Sequence, residues 1–340
     1  MTQRKPNIAV LGASGVVGRE ILGILAETDI EYNDIKFLAS KRSAGNKIEF
    51  KNEEYTIIEA TPEVFEGVNV VLASAGGSTS LALAPEAVKR GAVYIDNSSA
   101  FRMEDNVPLV IAGVNDDDLK MHKGIIANPN CSTSQLMLAL KPLHDYAKIK
   151  RLIVSTYQAV SGAGLAAIQE LTDNTKTNLI GMPYDHKVFK YEIGFNVIPQ
   201  IDVFCDNGYT KEEMKVTNET RKILHLDKSV PISCTAVRVP VYIGHSEAVS
   251  IEFENPIDAD KTREILKNAY GVNVLDDTEH YVYPTPKDAA GKDPVFVGRI
   301  RKSIAFDNGI DFFCVADNLR IGAALNTVRL AQKVIEMGLY

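Results

Sequence analysis

Residues 7–18, Asn7-Ile8-Ala9-Val10-Leu11-Gly12-Ala13-Ser14-Gly15-Val16-Val17-Gly18, decide how the 340-residue chain is read. The apolar run 7–11 reads as a buried strand. Three glycines follow at intervals of three, and Val16, Ile21, Leu22 and Leu25 then recur at helical spacing. Strand, glycine turn and helix form the context in which a dinucleotide fingerprint has physical meaning. Gly12 and Gly15 permit a tight turn with close backbone approach, and Gly18 lets the helix lie against the strand. The helix N-terminus, with free N–H groups and the positive end of its dipole, suits a pyrophosphate. The expected cofactor contacts are therefore Gly12, Ser14, Gly15, Val16 and Val17. The spacing is GxxGxxG rather than GxGxxG, and a tight structural turn without ligand fits the same letters.

Working outward, residues 35–39 make a second strand, at whose end an NAD site would place Asp or Glu. The chain instead has Ser40-Lys41-Arg42-Ser43-Ala44-Gly45. Cations and hydroxyls suit a 2'-phosphate that a carboxylate would repel, so NADP is expected over NAD. A charged surface loop is the plainer alternative. Strand 68–74, helix 81–89 and strand 92–95 continue the alternation expected of a parallel, doubly wound α/β sheet. Asn97-Ser98-Ser99-Ala100-Phe101-Arg102 falls at the carboxyl end of a strand, where such sheets bind ligands, so Arg102 is a candidate anion site or a structural ion-pairing arginine.

Asn128-Pro129-Asn130-Cys131-Ser132-Thr133 precedes the helical pattern of Leu136, Leu138, Ala139, Leu140 and Leu143. A helix beginning near Cys131 sets its thiol beside unpaired N–H groups and the positive dipole end, which favours thiolate. A small buried side chain at a strand-to-helix turn is the bland reading. The pattern changes beyond this point. Residues 152–157 read as a strand, 158–164 as a glycine-containing turn, and helical periodicity starts at Leu165. Residues 232–242 and 247–253 read as an antiparallel hairpin around Gly244 and His245, and 295–300 and 311–315 as further strands. A mixed α+β half of this kind suits a substrate site and an oligomer interface. Residues 318–337 read as a helix that returns to the first domain.

A net charge of -7 argues against nonspecific binding to nucleic acid or an acidic membrane. The four cysteines, Cys131, Cys205, Cys234 and Cys314, lack a CxxC spacing and read as reduced thiols, with no metal site expected. The opening MTQRKPNIAVLG has no signal-peptide core, and no run of about 18 apolar residues occurs, so a cytoplasmic protein is expected.

GASGVVG, SKRSAG, NSSAFR, NPNCST, QAVSGAG, EEMK, RVPVYIGHSE and DNLRIGAALN, in this order, resemble the aspartate-semialdehyde dehydrogenases over roughly residues 7–337. The resemblance implies a Rossmann-type NADP-binding domain over 1–130, completed by a C-terminal helix 318–340, and a catalytic and dimerisation domain over 131–317. It implies a homodimer or a dimer of dimers. The implied reaction interconverts L-aspartate 4-semialdehyde, inorganic phosphate and NADP+ with 4-phospho-L-aspartate and NADPH, in the biosynthesis of lysine through diaminopimelate, threonine, methionine and isoleucine. A thiolate suits this chemistry. It expels phosphate from the acyl phosphate and leaves a thioester electrophilic enough to accept hydride.

By the same resemblance Cys131 is the nucleophile, His245 the acid/base partner and Gln158 the group that orients substrate or bonds the acyl oxygen. Arg238 is assigned to the substrate carboxylate, Glu212 to its ammonium, and Arg102 and Lys215 to phosphate. Arg42 and Ser43 are assigned to the 2'-phosphate of the cofactor, Ser161 and Gly162 to its nicotinamide half, and Asn318 to the cofactor before the last helix. As plain sequence, Glu212 and Lys215 also fit a solvated i,i+3 ion pair, and His245 and Gln158 fit buried structural roles. Two departures from the common family pattern stand near the site: Tyr157 where phenylalanine is frequent, and Ile321 where lysine is frequent. An N-acetyl-γ-glutamyl-phosphate reductase shares the cysteine logic, and a non-catalytic NADP-binding paralogue shares the fold. Glu212 favours a free ammonium over the first, and Cys131, Gln158 and His245 together speak against the second.

Overall fold

The computed structural model describes residues 5–340 as two units, one taking in the chain up to Asn130 and again Ala323–Tyr340, the other Cys131–Gly322. The first unit opens with β1 (Asn7–Leu11), α1 (Val16–Glu27) and β2 (Asp34–Ala39). A hairpin of β3 (Lys47–Phe50) and β4 (Glu53–Thr56) follows, turning through Lys51 and Asn52, both in the left-handed region that matches strand twist. Then come β5 (Ile58–Glu59), β6 (Val70–Ala73), α2 (Gly77–Lys89), β7 (Val93–Asp96) and β8 (Ile125–Ala127). The main sheet has the order β5-β2-β1-β6-β7-β8, every pair parallel. β6 is buried along its whole length and β1 along all but its first residue, as strands covered on both faces must be.

The strand order reverses between β1 and β6, and the ends of these two strands nearly touch. Gly12, at φ 81°, lies where an added Cβ would come 2.2 Å from the Ser74 carbonyl oxygen. A Cβ on Gly18 would stand 2.0 Å from the Gly12 carbonyl oxygen, which is how closely α1 is laid on the end of β1. Each glycine thus fixes one side of the crevice at the switch point, where open parallel sheets take their ligands.

The second unit begins with α3 (Cys131–Ala147), then β9 (Ile149–Gln158), α4 (Leu165–Leu179) and α5 (Lys211–Ile223). β10 (Ile232–Arg238), β11 (His245–Phe253), α6 (Ala259–Lys267), β12 (Val272–Val274), α7 (Pro286–Ala289), β13 (Val295–Lys302) and β14 (Gly309–Ala316) complete it. Its mixed sheet runs β10-β9-β11-β14-β13-β12, with β10–β9 and β12–β13 parallel and the remaining pairs antiparallel. α3 is buried from Ser132 to Leu140 without a break and packs on this sheet.

Two expectations are corrected here. β10 and β11 do not form a hairpin, because β9 lies between them, parallel to β10 and antiparallel to β11. Residues 239–244 cross over the end of β9, held by Val160 N–H to Val241 O and Ser161 N–H to Tyr242 O. His245 is consequently the first residue of a strand, not part of a turn. The last helix does not start at Asn318 either. Asp317 accepts the N–H groups of Leu319 and Arg320, a π-turn spans Arg320–Ala324, and the regular helix α8 is Leu325–Glu336. α8 packs in the first unit on α1, β6 and β7, where Asn326 bridges Val110 O and Ala112 N–H. No helix of the described residues is long and apolar enough to cross a membrane.

Gly18→Ala forces a methyl into the Gly12 carbonyl, and overpacking of this kind costs about 1–3 kcal/mol. The variant is expected to show a lower urea midpoint, and an unchanged midpoint would mean that α1 can retreat freely.

Candidate active site

Cys131 is the first residue of α3, half-buried, and α3 has no acidic residue in its first turn to oppose a thiolate there. Gly322, in the π-turn, sits against it, since a Cβ at Gly322 would meet the Cys131 Cβ at 2.5 Å and its Cα at 2.8 Å. The sequence reading passed over Gly322. π-turns concentrate at functional sites, but nothing in the letters Arg320-Ile321-Gly322-Ala323-Ala324 announces one.

The strand ends of the second sheet supply the other groups. Arg238 pairs in register with Gln158, and Ser246 with Tyr157, so one more step along the ladder sets His245 beside Gln158. Arg238, Gln158 and His245 are all buried. Why they hold these positions is local. Thr210 caps α5, accepting from Glu213 N–H, while the Glu213 carboxylate accepts from Thr210 N–H and from Ala236 N–H on the edge strand β10. That clamp ties the first turn of α5 to β10 and sets Glu212 where Gln158 Nε2 donates to it at 3.2 Å.

Arg238 Nη1 donates to the Ala159 carbonyl at 2.8 Å, and among the described residues its other N–H groups make no hydrogen bond. Burial presses the guanidinium below its usual range, while Cys131 and Glu212 act in the opposite sense and sustain its charge. Burial, followed by the Arg238 charge, holds His245 well below the usual imidazole range, so the ring is neutral. Ala159 N–H donates to His245 Nδ1 at 3.0 Å, which leaves the ring proton on Nε2, and Nε2 has no partner. Gly162, exposed, is the open wall before this ring. A Cβ there would lie 3.2 Å from Nε2 and 3.1 Å from Arg238 Nη1.

Lys215 is less open than its predicted phosphate role suggests. Its Nζ is paired with Asp202 at 2.8 Å and with Glu212 at 3.1 Å. Burial works against its charge, but these two carboxylates outweigh it and hold the ammonium above its ordinary range. Asn318, predicted as a cofactor contact, ties two loops together, its Oδ1 accepting from Gly244 N–H and its Nδ2 donating to Ser161 Oγ. Of the two departures, Tyr157 points to the opposite face of β9 from Gln158 and lies near Phe313, while Ile321 is buried within the π-turn.

In the first unit the turn Gly12–Gly18 is accessible at Gly15, the N-cap of α1, and no side chain caps that helix. Its N–H groups are thus left for a ligand, as a pyrophosphate requires. Lys41 and Arg42 are exposed in the turn after β2, with Ser43 partly covered and no carboxylate at the strand end. Arg102 is buried and fixed by two backbone carbonyls, Nε to Asn128 O at 2.9 Å and Nη2 to Asn97 O at 2.8 Å.

A glycine turn before an uncapped helix N-terminus in one unit, and in the other a thiol accompanied by a neutral imidazole, suit an oxidoreductase. Comparison with known proteins makes the class particular. The model for the semialdehyde dehydrogenase NAD-binding domain matches residues 7–122, and that for the semialdehyde dehydrogenase dimerisation domain matches residues 140–321. The chain belongs to the semialdehyde dehydrogenase family, as its motifs suggested. It is 50% identical to aspartate-semialdehyde dehydrogenases of Bacillus subtilis and Aquifex aeolicus, over 98% of each chain. Among solved structures, aspartate semialdehyde dehydrogenase II of Vibrio cholerae in complex with ASA matches with a TM-score of 0.94 and 42% identity over 98% of this chain and 99% of that one. The Candida albicans enzyme with NADP matches with a TM-score of 0.78 and 25% identity over 99% and 100%.

Burial pushes the Cys234 and Cys314 thiols up, and the neighbouring Glu247 adds to the effect in both. Native-state alkylation near neutral pH is therefore expected to modify Cys131 and Cys205 and to spare Cys234 and Cys314, as peptide mapping would read. Gly322→Ala is expected to slow alkylation at Cys131 alone, because its methyl displaces that residue.

Proposed function

We propose that this chain is an NADP-dependent, phosphorylating aspartate-semialdehyde dehydrogenase working through a thioester on Cys131. The observation that carries the reading is that thiol at a helix N-terminus, where its charge and the buried charge of Arg238 favour each other. The Cys131 thiolate attacks the acyl carbon of 4-phospho-L-aspartate, the C–O bond to phosphate breaks, and a thioester forms. A reduced nicotinamide, held at the Gly12–Gly18 turn, would supply the hydride that takes the thioester to the aldehyde level. The tetrahedral oxygen then bears a negative charge until the C–S bond breaks, which returns the thiolate and frees the aldehyde. The departing phosphate takes up one proton, whereas hydride addition and collapse need none, so a fixed donor to that oxygen is what the site must provide in the later steps.

We read His245 as that donor, in place of the acid/base shuttle expected from the sequence. Its Nδ1 already accepts from Ala159 N–H, so a proton there would face another, and Nε2–H is the available group. Arg238, anchored at one edge on Ala159 O, has N–H groups left for the substrate carboxylate. Glu212 answers the ammonium, and Gln158, donating to Glu212, orients the pair. Arg102 and Lys215 remain the candidates for phosphate, with Lys215 exchanging a carboxylate partner for it.

NADP over NAD is supported by Lys41, Arg42 and Ser43 and by the absence of a carboxylate at the end of β2. A homodimer is supported by the dimerisation-domain match and by Ile153, Tyr157, Leu165, Tyr191, Phe195 and Phe204, apolar side chains left exposed in the second unit. The four free cysteines fit the reducing cytoplasm.

Phosphate-dependent NADPH formation from L-aspartate 4-semialdehyde is the direct assay. Cys131→Ala is expected to abolish it, and preference for an N-acetylated five-carbon semialdehyde would redirect the substrate assignment. As a donor, His245 tolerates an amide better than a phenyl ring. His245→Phe should lose about 10²–10³ in kcat, while His245→Gln should retain roughly a tenth of it. Because the imidazole titrates well below its usual range, kcat/KM should stay flat as pH falls through the ordinary histidine value. A wild-type inflection there, with both variants equally inactive, would restore the acid/base role.

A further inference from the structure

Beneath the row of Arg238, Gln158 and His245 lies a second buried row with no part in the chemistry so far. Register sets Thr156, Glu247 and Cys314 side by side on β9, β11 and β14. Glu247 is two residues on from His245, hence on the same face of β11. Gln135, one turn after Cys131 on α3, reaches into this row. Its Nε2 donates to the His245 carbonyl at 3.3 Å, and the same side chain lies close enough to favour the charged forms of the Glu247 carboxyl and the Cys314 thiol. Among the described residues that is the amide's one hydrogen bond, which leaves it a second hydrogen to give. Cys314 Sγ donates in turn to Glu247 Oε2 at 3.4 Å, and Glu247 Oε1 is buried without a partner.

The groups facing Glu247 carry no positive charge. From β14 it meets the Cys314 thiol, from β10 the Cys234 thiol feels its charge, from β9 comes Thr156, from α3 Gln135, and on its own strand stands the neutral His245. Among the described residues it forms no ion pair. A fully buried carboxylate in such surroundings is costly, and burial pushes the Glu247 carboxyl up to about 8, against smaller opposing effects of Cys314 and Gln135.

We propose that Glu247 is a positioning residue, held as a neutral acid so that the Gln135 amide stays on the His245 carbonyl, and that loss of its proton releases that hold. A carboxylate is the stronger acceptor. It draws the Gln135 hydrogens to itself, the first residue of β11 loses its donor, and Nε2–H leaves the line of the reacting oxygen. The proposal rests on His245 acting at that oxygen. It also has a thermodynamic face: between the ordinary carboxylate value and about 8 the folded protein keeps a proton that the unfolded chain has released. Stability therefore falls as pH rises through this window and levels off above it.

Glu247→Gln, Glu247→Leu and Gln135→Leu test this. Relative to wild type, the Tm of Glu247→Gln is expected to rise between about pH 5 and about pH 8. Its kcat near neutrality should stay within about twofold, with the alkaline fall in wild-type activity abolished, so that the variant-to-wild-type ratio grows about tenfold from pH 7 to pH 9. Glu247→Leu, or Gln135→Leu should the former not fold, is expected to lose about tenfold in kcat at little change in KM. A Tm difference independent of pH, an alkaline limb shared with Glu247→Gln, or full kcat in the leucine variants would each overturn the proposal. The thermal comparison needs no substrate, so failure of the wild type to turn over the aldehyde would count against the functional reading alone.

Discussion

Arg238 brings a positive charge into a place from which water is nearly excluded, and unpaired buried charges cost several kcal/mol. Most of what surrounds it follows from keeping that charge tolerable. Glu212 and the sulfur of Cys131 act on it favourably, and the Ala159 carbonyl takes one of its N–H groups. The same charge, added to burial, denies His245 a proton. A thiolate is thus favoured and an imidazolium disfavoured by one guanidinium, which is the combination that a sulfur nucleophile and a neutral hydrogen-bond donor require. Were the arginine a lysine, the charge would be similar, but the flat fork that reaches a backbone carbonyl with one edge and leaves others for a carboxylate would be gone.

Close backbone approach does the remaining shaping. At Gly12 and Gly18 the missing Cβ lets a helix begin almost on top of a strand end, and at Gly322 it lets a π-turn lie on Cys131. At Gly162 it leaves space before the imidazole. In each case the contact made in place of a side chain is with backbone or with Cys131, Arg238 or His245. These glycines therefore shape two surfaces, one suited to a phosphate and one to a carbonyl carbon.

Polar groups are layered in the second sheet. The strand-end row holds Arg238, Gln158 and His245, the next row holds Thr156, Glu247 and Cys314, and the row after that, Val154, Val249 and Phe312, is apolar. α3 packs on this sheet, with Gln135 bonded to the His245 carbonyl and close to Glu247 of the second row. Helix period and strand period together explain why residues four apart on α3 and two apart on β11 serve successive layers.

The sequence by itself determined the alternation of the first unit, the glycine turn and its cations, and Cys131 as the start of a helix, because these depend on neighbours in the chain: apolar periodicity, φ freedom, helix ends. It also supplied, through its ordered motifs, the list of candidate site residues. Only the tertiary structure decided that β9 separates β10 from β11, that His245 opens a strand with its Nδ1 already occupied, and that Lys215 is held by two carboxylates. It alone revealed Gly322, Gln135 and Glu247 as neighbours of the site. Those features depend on strand pairing and on burial between residues more than a hundred positions apart, such as Gln135 and His245, and local pattern carries no record of which distant groups will share one dry layer.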